Sequence, residues 1–122
     1  EIISTGYNGA PRGRKNCSDL GYCIREKLDI PRGERYELCR SVHAEQNAIC
    51  QAARRGIALD GATLYCKMTP CRTCAMMIIN CGIKRVVCQM KYHAGADSEQ
   101  MFAQAGVELE FFCDEVLKDS KQ

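Results

Sequence analysis

Two short motifs in this 122-residue chain carry residue types that bind metals and move protons. The first places Glu45 two positions after His43, and the second places Cys71 and Cys74 three positions apart, directly after Pro70. Imidazole and thiolate are ligands that zinc prefers, and a catalytic zinc site takes three ligands from the protein and leaves one position for water. One His and two Cys make three. The motifs therefore predict a catalytic zinc site with His43, Cys71 and Cys74 as its ligands.

Glu45 is predicted to stand beside the metal rather than to bind it, because water on a catalytic zinc needs a base within hydrogen-bonding distance. Two other interpretations are a closed structural zinc site with four ligands and a redox-active Cys-x-x-Cys pair. Either would leave Glu45 without a role, since the first motif offers one His and one carboxylate instead of a second pair of cysteines. The pattern therefore favours a hydrolytic site in which Glu45 is the acid and base.

Both motifs are predicted to lie at the beginnings of helices. Ser41 is a suitable N-cap, and apolar residues at helical spacing run through residues 42–55 until Gly56 ends the pattern. His43 and Glu45 would then share the first turn about 200° apart, so the end of this helix, not its side, must face the site. A helix that begins at the second motif places both sulfurs on one face of its first turn, and its N-terminus favours thiolates.

The remaining elements are predicted to alternate as βαβαβ, with helices covering a mostly parallel sheet. In such sheets ligands bind at the carboxyl ends of the strands, and one strand leads directly to Pro70. The length and the 46% hydrophobic content predict a single domain over residues 1–122. The predicted strands are 61–66, 84–88 and 107–113, and the predicted helices are 75–82 and a segment from Asp97 or Ser98 to Ala105.

Residues 6–13 are predicted to form a loop whose glycines let the backbone approach a ligand closely, although a plain turn would have the same composition. Residues 14–40 form a Cys-rich insert without clear periodicity, and a stretch of this kind inside a compact domain needs something to hold it. Cys17, Cys23 and Cys39 would give three ligands to a second, structural zinc, with a fourth ligand that the sequence does not identify. The alternative is that they are isolated, small buried residues.

Composition limits the partners and the compartment. The formal net charge is +2 with basic residues spread along the chain, 7% of the residues are aromatic, and there is no Trp. An aromatic-lined basic groove for nucleic acid is therefore not predicted, whereas a phosphate on a small ligand is compatible. Ten cysteines without a secretory signal indicate a reducing compartment, and no apolar run approaches the roughly 20 residues of a membrane span. We therefore expect a cytoplasmic protein.

Together these segments resemble the cytidine and deoxycytidylate deaminase superfamily, and within it the deoxycytidylate (dCMP) deaminases and the late-competence deaminase-like proteins of bacteria. The paired zinc motifs are the signature of zinc deaminases that act on nucleobases. The loop around Asn8 is the discriminating piece, because tRNA adenosine, guanine, riboflavin-pathway and polynucleotide cytosine deaminases share the zinc motifs. The resemblance covers nearly the whole chain and rests on residues 3–9, Cys39, residues 43–48, residues 63–65 and residues 70–74.

The resemblance implies a three-layer α/β/α cytidine-deaminase-like fold around a mixed, mostly parallel five-stranded sheet. Ile2 and Ile3 look like the end of a strand that enters the loop. The family has a helix and a strand before this position, and their loss would expose a sheet edge. We therefore expect the sequence to be an N-terminally incomplete version of a longer protein.

The same resemblance implies zinc-dependent hydrolysis of dCMP to dUMP and ammonia in pyrimidine deoxynucleotide metabolism, which supplies dTMP. Glu45 would be the proton shuttle, Asn8 would contact the sugar, and Tyr92 would lie near the 5′-phosphate. Arg12 and Lys91 are secondary candidates for phosphate contacts. Many members of the family are homohexamers that dCTP activates and dTTP inhibits, and some members carry a second structural zinc near the insert.

Three other functions stay open at this stage. One is deamination of another base or nucleotide, and a second is a competence-related, nucleic-acid-associated deaminase-like protein. The third is a catalytically silent zinc-binding subunit of an assembly, against which the presence of Glu45 argues.

Overall fold

The computed structural model describes residues 1–31, 42–112 and 116–117. Within these residues, strands and helices alternate after the second motif as predicted. No helix among them is long and apolar enough to cross a lipid bilayer. The elements are α1 (Cys17–Leu20), α2 (Ile24–Lys27), α3 (Ala44–Arg55), β1 (Thr63–Met68), α4 (Arg72–Asn80), β2 (Arg85–Tyr92), α5 (Ala96–Ala105), β3 (Glu108–Phe111) and β4 (Val116–Leu117).

A parallel sheet forms the centre of the fold. Its strands lie in the order β1-β2-β3, and β4 also pairs with the end of β2 in parallel. The register places Leu64 of β1 opposite Val86 of β2, and Val86 opposite Leu109 of β3. Parallel neighbours need a crossover connection, which α4 makes between β1 and β2 and α5 makes between β2 and β3. The predicted α/β class with a parallel sheet is therefore confirmed.

One face of the sheet forms the core together with α3, α4 and α5. Side chains alternate across a strand, so Leu64, Val86 and Leu109 point to the same face, where they pack with Ile78 of α4 and Phe102 of α5. The apolar residues of α4 extend nearly all round the helix, but only one side is buried, because Ala75 and Ile78 are 0% exposed and Met76 is 43% exposed. Burial of a side chain as large as Ile or Phe stabilises the fold by about 1.5–3 kcal/mol.

The opposite face of the sheet carries polar side chains. Arg85 of β2 donates to both carboxylate oxygens of Glu110 on β3, from Nε at 2.9 Å and from Nη2 at 2.7 Å. Because both side chains are in contact with water, the pair orients them more than it stabilises the protein. The sheet and one helical layer of the predicted α/β/α arrangement therefore lie within the described residues.

α3 begins later than the sequence predicts. Its first residue is Ala44 and its N-cap is His43, not Ser41, which lies outside the described residues. Val42 is held in an isolated antiparallel bridge with Gly9, through N–H···O bonds of 3.2 and 2.7 Å. A residue in such a bridge has an extended backbone, so the helix cannot include Val42.

The strand predicted at Ile2 and Ile3 is wrong. Both residues are exposed, and no strand of the described residues pairs with them. A strand needs a neighbour that satisfies its backbone groups. The segment is fastened to α3 instead, where the Ser4 hydroxyl donates to the carbonyl oxygen of Ala48 at 2.7 Å.

Phe102 and Phe112 provide a matched test of the core. Phe102 is 0% exposed and Phe112 is 71% exposed. We expect Phe102→Ala to lower the free energy of unfolding by about 3–5 kcal/mol, because the substitution removes buried apolar contacts and leaves a cavity. Phe112→Ala should change it by less than about 0.5 kcal/mol. Urea denaturation followed by circular dichroism measures both values, and equal losses would contradict this core.

Candidate metal centre and active site

The two predicted motifs meet at the beginnings of two helices. His43 is the N-cap of α3, Cys71 is the N-cap of α4, and Cys74 lies in the first turn of α4. Nδ1 of His43 lies 3.3 Å from Sγ of Cys74 and 3.4 Å from Sγ of Cys71. His43 is 3% exposed and Cys74 is fully buried, so the donor atoms converge inside the protein.

The N-cap position lets His43 face the same site as Glu45. The backbone of His43 is extended, with φ −65° and ψ 152°, so its side chain does not follow the angular spacing of the helix. Its N–H donates to Oε1 of Gln46 at 3.2 Å, which satisfies an amide at the start of α3. The separation of about 200° that a continuous helix would impose therefore does not apply.

The three donors fit a zinc ion. Zn–N bonds near 2.0–2.1 Å and Zn–S bonds near 2.3 Å place the ligand atoms of a tetrahedral site about 3.6–3.8 Å apart. The nitrogen–sulfur separations of 3.3 and 3.4 Å are close to that spacing, and all three donor atoms lie within 4.8 Å of one another. Three protein ligands leave one tetrahedral position open. In the described part of the chain, no other group of three His, Cys, Asp or Glu side chains is similarly close.

The two thiols hold their protons unequally. A hydrogen bond from the Cys74 thiol is the main reason that the pKa of Cys71 falls to about 4, and His43 acts in the same direction. The same hydrogen bond, together with burial, raises the pKa of Cys74 above its usual range. Cys74 therefore holds its proton more firmly than Cys71 does. A bound divalent cation would favour loss of that proton.

Glu45 faces the site from the first turn of α3. It is 8% exposed, and its Oε2 atom is buried without a hydrogen-bond partner among the described residues. Burial is the main reason that the pKa of this carboxyl lies above its ordinary value. A buried carboxylate oxygen without a partner is costly, and such groups occur where a ligand or water completes the site. Glu45 also lines a cavity of about 1060 Å³ between α3, β1 and residues 1–6.

The loop of residues 6–9 packs against the N-terminus of α3. Oδ1 of Asn8 accepts a hydrogen bond of 2.6 Å from the N–H of Ala44, an amide that the start of a helix leaves without a helical partner. A Cβ at Gly6 would collide with the carbonyl oxygen of Ala44 and the amide nitrogen of Ala48, so only glycine fits there. Asn8 lines the same cavity as Glu45. The residue predicted to contact the sugar thus lies beside the residue predicted to carry the proton.

Tyr92 lies at the carboxyl end of β2. Its N–H donates to Oγ1 of Thr69 at 3.1 Å, and Thr69 directly precedes Pro70 of the second motif. Its side chain is buried, and its hydroxyl has no hydrogen-bond partner within residues 1–31, 42–112 and 116–117. The structure therefore brings Tyr92 to the sheet edge that carries the metal ligands, with a free hydrogen-bonding group.

Lys91 and Arg12 are less well placed for phosphate. Nζ of Lys91 lies 3.2 Å from Oε1 of Glu99, so its charge is partly neutralised within the protein. Arg12 is exposed in a turn in which the N–H of Arg14 donates to the carbonyl oxygen of Pro11 at 3.0 Å, and it does not line the cavity. The predicted phosphate contacts of Lys91 and Arg12 therefore stay predictions.

The second predicted metal site lies partly outside the described residues. Cys39 is not among them, and only the backbone of Cys17 is described, as the first residue of α1. Cys23 is half-buried and directly precedes α2. The structural zinc therefore stays a prediction.

Sequence reasoning missed three side chains that organise the site. Gln46 could have been found from its position three residues after the N-cap. Asn47 binds the carbonyl oxygen of Tyr7, and its only sequence signal is that Asn is a weak helix former. Thr69 shows no signal in the sequence, because its contact with Tyr92 joins two strands.

Comparisons with known proteins agree with this geometry. Residues 1–90 match the family described as the cytidine and deoxycytidylate deaminase zinc-binding region. The deoxycytidylate deaminase of Schizosaccharomyces pombe is 39% identical over 108 residues, which cover 88% of this chain and 33% of that protein. ComE operon protein 2 of Bacillus subtilis is 35% identical over 121 residues, which cover 98% of this chain and 59% of that protein.

A solved structure is similar as well. The dCMP deaminase of cyanophage S-TIM5, crystallised in complex with dCMP and dUMP, has a TM-score of 0.71 and 31% identity, covering 91% of this chain and 73% of its own. The chain spans about a third of the length of the deoxycytidylate deaminases of Schizosaccharomyces pombe and Saccharomyces cerevisiae, 33% and 34%. The match over residues 1–90 and the converging His43, Cys71 and Cys74 lead to one assignment: the chain belongs to the cytidine and deoxycytidylate deaminase family.

Proposed function

We propose that this protein deaminates dCMP hydrolytically to dUMP and ammonia, with one catalytic zinc held by His43, Cys71 and Cys74. The observation that carries the proposal is the buried, unpartnered Oε2 of Glu45 next to this donor set and at the wall of the cavity. A redox pair or a closed structural zinc site would have no use for that oxygen. The deoxycytidylate deaminases among the relatives and the cyanophage structure with dCMP and dUMP support dCMP as the substrate.

Glu45 carries the proton transfers in this proposal. A zinc ion held by His43, Cys71 and Cys74 would lower the pKa of a water molecule placed beside Glu45 towards neutrality. Oε2 of Glu45 accepts a proton from the water that attacks C4 of the cytosine ring and donates it to ring N3. The same carboxylate then takes the remaining proton of the new C4 hydroxyl group and donates it to the amino group, which leaves as ammonia while the C4 carbonyl of dUMP forms. Burial raises the pKa of Glu45, which is the direction that favours a carboxyl group able both to accept and to return a proton.

Asn8 and Tyr92 are proposed to hold the rest of the nucleotide. The Oδ1 atom of Asn8 is bound to α3, so its Nδ2 is left to donate to the sugar. The buried hydroxyl of Tyr92 is proposed to donate to the 5′-phosphate, and Arg12 is proposed as a second phosphate contact. The assignment of Asn8 rests on the family resemblance and on its place in the cavity wall, and the assignments of Tyr92 and Arg12 rest on the resemblance.

The assembly and its regulation are proposed on the resemblance alone. We expect the protein to form a homo-oligomer, namely a hexamer, in the cytoplasm. We expect dCTP to activate it and dTTP to inhibit it. Size-exclusion chromatography with light scattering measures the oligomer.

Replacement of the proton carrier is the first test. We expect Glu45→Gln to lower kcat for dCMP by about 10²–10⁴-fold, because the amide cannot accept the proton, while the zinc content stays unchanged. Glu108→Gln on the polar face of the sheet is the matched control and should keep wild-type activity. Activity is followed as ammonia release. A Glu45→Gln protein that turned over dCMP at the wild-type rate would exclude this role for Glu45.

A substrate panel tests the proposed nucleotide. Ammonia release from dCMP should exceed release from deoxycytidine, CMP and dCTP, and added dCTP and dTTP should raise and lower the rate. Faster turnover of deoxycytidine would contradict the proposed phosphate contact at Tyr92. Activity only on single-stranded DNA, with a salt-sensitive complex, would instead indicate the nucleic-acid-associated function.

Metal stoichiometry tests both proposed zinc sites. If Cys17, Cys23 and Cys39 hold a structural zinc, elemental analysis of the purified protein should give two zinc ions per chain. Cys74→Ser should remove the catalytic ion and Cys39→Ser the structural ion, whereas the exposed Cys50→Ser should remove neither. One zinc per chain in the wild-type protein would reject the second site.

A further inference from the structure

Asn47 joins the loop of residues 6–9 to α3. Its Nδ2 donates to the carbonyl oxygen of Tyr7 at 2.7 Å and lies 3.4 Å from the carbonyl oxygen of Val42. Asn is a weak helix former because its amide competes for backbone groups. Here that amide is turned away from the helix's own backbone and binds a segment 40 positions away in the sequence. Its placement inside α3 therefore serves a tertiary contact rather than the helix.

The contacts made by Asn47 are continuous with those of the next two loop residues. Asn8 follows the carbonyl group that Asn47 binds, and its Oδ1 accepts from the N–H of Ala44 at 2.6 Å. Gly9 then forms two backbone hydrogen bonds with Val42, of 3.2 and 2.7 Å. Three consecutive loop residues are thus bound to residues 42–47, at the start of α3. The loop has little freedom to move relative to that helix.

This arrangement fixes which group Asn8 offers to the cavity. The N–H of Ala44 needs an acceptor, so the amide of Asn8 must present Oδ1 to it, because the reverse orientation would set two donors against each other. Nδ2 is left to donate to a ligand, which must provide an acceptor. In a 2′-deoxynucleotide 5′-monophosphate the 3′-hydroxyl is the one free hydroxyl of the sugar, and its oxygen can accept.

We propose that Asn47 is a positioning residue that sets substrate affinity by holding the donor of Asn8 at a fixed place relative to Glu45. Asn47 lies two residues after Glu45 on the same helix, so the group that binds the sugar and the group that moves the proton share one rigid support. The inference rests on the proposed deamination of dCMP. Because Asn47 contacts neither the metal ligands nor Glu45 in these hydrogen bonds, it acts on KM rather than on kcat.

Two substitutions of Asn47 test the proposal. Asn47→Ala removes both contacts and adds the best helix former, so α3 is retained. Asn47→Asp keeps the shape but sets a carboxylate against the carbonyl oxygens of Tyr7 and Val42. Each substitution should raise KM for dCMP about tenfold, as expected for the loss of the one hydrogen bond between Asn8 and the sugar. The value of kcat should stay within about threefold of the wild-type value, and the zinc content should not change. Gln51→Glu, one turn further along α3, makes the same amide-to-acid change and should leave KM unaltered.

A substrate without the 3′-hydroxyl separates this role from a general structural one. For 2′,3′-dideoxycytidine 5′-monophosphate, KM of the wild-type protein should already be high, and Asn47→Ala should change it by less than about twofold. Hydrogen–deuterium exchange of the loop should also be faster in both variants, especially at the Gly9 amide that donates to Val42.

Each outcome decides the proposal. A rise in KM confined to dCMP, with faster exchange in the loop, supports it. An unchanged KM for dCMP, equal rises for both substrates, loss of zinc, or a fall in kcat alone overturns it. If the wild-type protein does not deaminate dCMP at all, the proposed function fails, and exchange at the Gly9 amide alone decides whether Asn47 holds the loop.

Discussion

His43 lies 28 positions before Cys71 and 31 before Cys74, yet its Nδ1 atom is within 3.4 Å of both sulfur atoms. The remaining structure of the site depends on this convergence. It requires that α3 and α4 begin at neighbouring points, which β1 and the short segment after it make possible. Both helices direct their N-termini at the donors, and the partial positive charge there favours the negative charge of thiolates. The fold thus provides an electrostatic environment suited to a cation held by sulfur.

The same arrangement keeps a carboxyl group buried at some cost to stability. Glu45 sits two positions after His43, in a place where burial raises its pKa and where Oε2 lacks a partner in the described structure. A protein selected only for stability would have replaced it by an apolar side chain. Its presence beside three potential metal ligands is better explained by chemistry at the open side of the site, in agreement with the family to which the chain belongs.

The loop of residues 6–9 is fastened to the turn of α3 that carries Glu45, so the proposed substrate contact and the proposed proton carrier are held together. Gly6 allows the close approach to α3, and Asn8 uses one amide atom for the helix and keeps the other for a ligand. Tyr92 reaches the same sheet edge from β2 through its contact with Thr69. The residues proposed for recognition and for proton transfer therefore lie on the same few packed elements.

The sequence by itself predicted the donor set and a proton-carrying role for Glu45, and it determined the alternation of strands and helices, because each leaves a local trace in spacing or periodicity. Only the tertiary structure decided that His43 is an N-cap outside the helix, that Ile2 and Ile3 form no strand, and that Asn47 binds the loop. The physical reason is that these contacts join residues that are far apart in the sequence. Ser4 meets Ala48, Asn8 meets Ala44 and Asn47 meets Tyr7 across 44, 36 and 40 positions, and single hydrogen bonds between distant residues leave no periodic pattern to read.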